Sequence, residues 1–207
     1  MTRALAAWAG LSACALATLP TAALAHAFTA GADLYGQFTE GVGVAISAPE
    51  LALALVPLGL FAGLNRADGM LVIWPAFIVA WLVGMPLGSF AGEWVILAAL
   101  LLGLCCGVLC ALMPRAPAPV LIAMAGAIGL AVGAASFQGH ALFELPFYIH
   151  FGLFFGANLL VACVAGLVKV LRERFTAFWM DVALRSAASW AGAVALMVLA
   201  FEIAGLA

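Results

Sequence analysis

Three histidines occur in the 207 residues, and two of them, His140 and His150, fall in the single stretch "SFQGHALFELPFYIH" (136–150), with Glu144 between them. Imidazole beside carboxylate, with a coordination position left for water, suits a borderline divalent cation: nickel, cobalt, zinc or copper. Four residues apart, His140 and Glu144 share one face if that connection is helical. The competing reading is a histidine stapled to a loop carboxylate that holds the connection shut. His150, Phe154 and Asn158 follow at i, i+4 and i+8, on one face of a helix. Their surroundings are apolar, where polar groups are costly and turn toward a bundle interior or a wet cavity. A stepped path from His140 through His150 to Asn158 is one consequence; an interhelical hydrogen bond at Asn158 is the other. Glu50 stands in another apolar run, so its carboxylate must be paired, protonated or part of an ion path. Asp33, Glu40, Glu93 and Glu202 are the other acidic residues expected toward the same side of the membrane.

The elements that hold these groups must themselves be apolar. The chain is 68% hydrophobic and 8% charged, against roughly 25% charged residues in a soluble domain, so lipid is its principal solvent. A net charge of −2, without a broad basic patch, argues against a nucleic-acid partner. Arg3, an apolar core, Pro20 and the small-residue site "ALA" (23–25) have the form of an export signal. Cleavage after Ala25 would make His26 the N-terminus, where amine and imidazole together could chelate copper or another metal.

The expected organisation is therefore a signal peptide over 1–25, a periplasmic segment over 26–43 and a six-span transmembrane domain over 44–207. Its charge-poor runs cover roughly 44–64, 69–88, 94–113, 119–137, 146–168 and 185–206, each near the ~20 residues needed to cross hydrocarbon. With the leader removed, every basic residue of the mature chain (Arg66, Arg115, Lys169, Arg172, Arg174 and Arg185) falls on the cytoplasmic side. Both termini are then periplasmic, in a bacterial inner membrane. The outer side is acidic and histidine-bearing, which raises the local concentration of cations. With no basic residue on its side, Glu50 would look to a bound cation or a proton for compensation.

Other features have plainer meanings. Gly84/Gly88, Gly103/Gly107, Gly129/Gly133 and Gly152/Gly156 are small-xxx-small pairs that let helices approach closely. "CCGVLC" (105–110) has metal-like spacing but sits within an apolar run, as packing cysteines do. Trp94, Phe175, Phe178 and Trp179 suit interfacial anchors.

Two motif regions resemble the HupE/UreJ family, small membrane proteins associated with hydrogenase and urease clusters and regarded as nickel permeases. The resemblance runs over nearly the whole chain. In "FTEGVGVAISAPELALALVPLGL" (38–60), Phe38, Gly41 and Gly59 keep the family frame, Glu50 stands where the family has aspartate, and Leu51 replaces its histidine. In "FQGHALFELP" (137–146), Phe137, Gly139 and Ala141 match, with Glu144 one residue displaced. Gln138 and Leu142 occupy histidine positions, and His140 stands where the family accepts an aromatic residue or histidine.

Residues and resemblance together lead to the expectation of an all-α, six-span bundle that admits a divalent metal, nickel or cobalt by the resemblance or another metal, from the periplasmic side by facilitated diffusion. His140 and Glu144 would capture the ion, Glu50 would offer charge within the first span, and His150 with Asn158 would pass it inward. The metal is cargo, and no tightly bound cofactor is expected. The alternative is a non-transporting accessory or assembly subunit that packs against a metalloenzyme-maturation or membrane-complex partner. No nucleophile–base–orienter set argues for an enzyme.

Overall fold

The computed structural model describes residues 33–65, 69–113, 115–141, 144–175 and 178–205. The expected leader and His26 lie outside them. The described chain is all-helical: α1 (Leu34–Ser47), α2 (Pro49–Asn65), α3 (Gly69–Gly88), α4 (Trp94–Leu112), α5 (Ala118–Ala135), α6 (Phe147–Arg174) and α7 (Phe178–Ile203). Five of these, α3 to α7, are each long and apolar enough to cross a membrane, and α1 with α2 makes a sixth if that bent pair is one span.

The chain departs from its apolar runs at two places. Helix begins at Leu34, inside the segment expected to precede the first span, where Asp33 caps α1 by accepting the Gly36 N–H at 2.7 Å. The run expected as one helix over 44–64 is broken at Ala48, and the two helices meet at 71°. Pro49 is the cause. It brings no N–H to the ladder, and its ring drives the preceding residue out of the helical region; Ala48 is extended, at φ −67° and ψ 115°. The last helix, in turn, starts seven residues before its apolar run. Asp181 and Arg185 interrupt hydropathy there without interrupting helix, and Asp181 lies in the first turn, where the helix dipole favours an acid.

Helix α2 occupies the centre of the bundle. It touches every other helix, and eleven of its residues, from Leu51 to Leu64, are buried. A helix hydrophobic all round is a helix buried all round. Helix α3 lies at the periphery, packed chiefly on α5, and α1 packs chiefly on the N-terminal half of α6.

The glycine pairs make these close approaches. A methyl group on Gly84 would collide with the Leu130 carbonyl, and one on Gly133 with the Trp81 carbonyl, so α3 and α5 meet backbone to backbone. Such contact suits association in lipid, where tight packing replaces hydrophobic driving force. Short links join α3 to α7 in sequence, so their ends alternate. One end gathers residues 88–94, 136–141 and 144–146, and the other gathers the end of α2, residues 113 and 115–117, the end of α6 and the start of α7.

Candidate functional site

The histidine-bearing end is shaped by the connection between α5 and α6. Residues 136–140 are turn and bend rather than helix. Gly139 has φ +78°, a left-handed conformation that glycine adopts without strain. The helical register that would have placed His140 and Glu144 on one face is therefore not formed. Glu144 instead turns back on the loop and accepts the Ala141 N–H at 2.9 Å. His140 is held by its backbone N–H on the Phe137 carbonyl at 3.2 Å.

Both imidazoles are oriented by main-chain carbonyls. His140 Nδ1 lies 3.2 Å from Gln138 O, and His150 Nδ1 lies 3.0 Å from Pro146 O. A carbonyl only accepts, so the tautomer that satisfies these contacts is the one with its proton on Nδ1. This is the tautomer and the backing bond common among metal-ligating histidines. The His150 ring also stacks on Phe137, with centroids 4.7 Å apart and planes at 24°. Phe137 thus joins the two histidines, through its carbonyl to one and its ring to the other.

Below this corner the interior is aromatic. Trp81 meets Phe137 edge-on at 5.8 Å and Phe154 at 5.0 Å. Asn158, 8% exposed, accepts the Trp74 Nε1–H at 2.7 Å and donates to Phe154 O at 2.8 Å. Its amide bonds α3 to α6, the interhelical bond that is one of the two meanings of a buried asparagine here.

Glu50 opens the central helix. It lies half-buried in the first turn of α2, just after the break. The positive end of the helix dipole meets the carboxylate there, worth about 0.3–1 kcal/mol in exposed settings. The apolar run alone did not disclose this compensation, because as one continuous helix it would have put Glu50 away from any terminus. Among the described residues no three His, Cys, Asp or Glu side chains gather around one point that could hold a metal ion. The described site is therefore two carbonyl-backed imidazoles near one corner, a loop carboxylate in the same connection, and a second carboxylate at the head of the central helix.

Trp74, Trp81 and Ser89 are the polar groups that sequence reading passed over. Trp81 Nε1 and Ser89 Oγ are buried with no hydrogen-bond partner among the described residues. Trp74 and Trp81 lie within a span rather than at its ends, a position unusual for anchoring tryptophans, and that was the available signal. No protein-family model, curated protein or solved structure matches this chain.

Proposed function

We propose that the protein is a permease-like membrane protein that admits a divalent transition metal, nickel or cobalt by its family resemblance, from the histidine-bearing end. The observation that carries this reading is the pair of Nδ1–carbonyl contacts at His140 and His150, the backing bond that orients metal-ligating histidines. In this reading His140 and Glu144 meet the ion in the acidic mouth, His150 takes it at the top of α6, and Glu50 offers negative charge at the top of α2. Sparse ligation favours passage, since a conducted ion must leave each site as readily as it enters. A membrane potential would supply ~2.3 kcal/mol per charge per 100 mV.

One observation favours the second reading, a non-transporting accessory subunit: the Asn158 amide is engaged in joining α3 to α6, which gives the deepest step of the path a packing role. The test is metal content of cells supplied in turn with low nickel, cobalt, copper and zinc. Wild type is compared with Glu50→Gln, His140→Ala and His150→Ala at matched membrane expression. Selective accumulation abolished by Glu50→Gln and by either histidine substitution is expected. Accumulation of no metal by wild type would overturn transport and leave the accessory role.

A further inference from the structure

The opposite end of the bundle carries a second site, unrelated to metal. A cavity of about 660 Å³ opens where α2, α4 and α6 end and α7 begins, lined by Leu64, Leu112, Met113, Arg115, Arg172, Asp181 and Arg185. Its arginines are not equivalent. Arg172 is committed: Nε lies 2.9 Å from Asp181 Oδ1, and Nη1 donates to Leu64 O at 3.0 Å. Arg115 and Arg185 have no ion-pair partner among the described residues, yet they face the same cavity. Three arginines against one aspartate give the lining a formal charge of +2.

Three helix C-termini also meet here and oppose an anion by roughly half a charge each, while the N-terminus of α7 returns about half a charge. The balance stays positive by roughly one unit, and the Leu64 carbonyl, part of the opposing field, is already covered by Arg172. Guanidinium groups recognise phosphate through paired, planar N–H donors. The remaining walls, Leu64, Leu112 and Met113, are apolar, and Leu112 is 73% exposed on the bundle surface. Phe178 and Trp179 stand exposed at the adjoining start of α7, as aromatic side chains do at headgroup level. A free phosphate would use the arginines alone; an amphiphile would use both halves of the lining.

We propose that this cavity binds the phosphate headgroup of an anionic phospholipid, between Arg115 and Arg185, with an acyl chain leaving past Leu112. Basic pockets between transmembrane helices hold such headgroups elsewhere. The lipid tethers the ends of α4 and α7.

The test uses the full chain purified in detergent. Retention of phosphatidylglycerol and of phosphatidylcholine with the same acyl chains is read by native mass spectrometry, and thermal unfolding is followed with each lipid and with inorganic phosphate alone. Wild type should retain phosphatidylglycerol preferentially. The double variant Arg115→Gln/Arg185→Gln should reduce that preference on the order of twenty-fold, about five-fold for each arginine removed. Single substitutions at exposed Arg115 keep the test readable if the double variant does not fold. Equal retention of the two lipids by wild type, or a preference untouched by the substitutions, would overturn the proposal. A thermal shift from inorganic phosphate with no preference for phosphatidylglycerol would overturn the lipid and assign the site to free phosphate.

Discussion

The bond between Trp74 and Asn158 offers the sharpest test of how this bundle is held together. It joins α3 to α6 across 84 residues of sequence, at 2.7 Å between the indole nitrogen and the amide oxygen, with Asn158 buried. Interhelical hydrogen bonds in membranes are worth about 0.6 kcal/mol on average and up to about 1.7. The short distance and the burial place this one in the upper part of that range, about 1 kcal/mol, or roughly five-fold in an unfolding equilibrium. Trp74→Phe, Asn158→Ala and the double variant close a double-mutant cycle that removes the areas and the Phe154 contact common to both arms. Reversible unfolding in mixed micelles, followed by far-UV circular dichroism, reads each corner. A coupling of about 1 kcal/mol is expected. Singles that add within ~0.3–0.5 kcal/mol, as independent sites do, would refute the assignment of Asn158 to helix joining. Trp74→Phe leaves His140, Glu144, His150 and Glu50 in place but frees the Asn158 amide oxygen, so metal accumulation per folded molecule should stay unchanged if Asn158 only joins helices; a change would return Asn158 to the path.

Two further outcomes follow from the backbone. Gly133→Val places a methyl group against the Trp81 main-chain carbonyl, which cannot yield as a side chain can; a loss of at least about 1–3 kcal/mol is expected, while Gly126→Ala, with open space around it, should stay within about 0.5 kcal/mol. Pro49→Ala restores an N–H and frees Ala48 to turn helical, so the α1–α2 bend should relax; in a cysteine-free background, spin labels at Thr39 and Arg115 should report a broader distance distribution than with Pro49 in place, and an unchanged one would show that packing on α6, not proline, sets the bend.

The helices were legible because lipid leaves few alternatives: a run of some twenty apolar residues must satisfy its own backbone. Their ends were less so, since hydropathy stops at a charge and helices do not. Asp181 and Arg185 lie within α7, and Arg172 ties Asp181 from the preceding helix. Pro49 was visible in "SAPE", yet its consequence depends on α6 being present to receive α1. The candidate site was legible as a list of residues and not as an arrangement. The His140–Glu144 spacing carries meaning only on a helix, and Gly139 at positive φ ends that possibility. No local pattern could pair residue 74 with 158, or set Phe137 against His150, because those contacts are made by three helices docking together.

The position of α2 has a consequence for how the molecule is made. The helix that ends up innermost precedes in the chain all five of the long helices that come to surround it. During synthesis it must therefore reside in the bilayer before its neighbours exist. Its uniform apolar character makes that wait inexpensive, since lipid tails solvate leucine and phenylalanine as well as protein does. Gly59 and Gly63 then act as reserved berths, unfilled until Val164 and Val168 of α6 arrive to close on them. A nascent chain released before α6 should hold α2 in the membrane but leave it without its final neighbour, a half-built state in which quality-control proteases would find the protein most vulnerable.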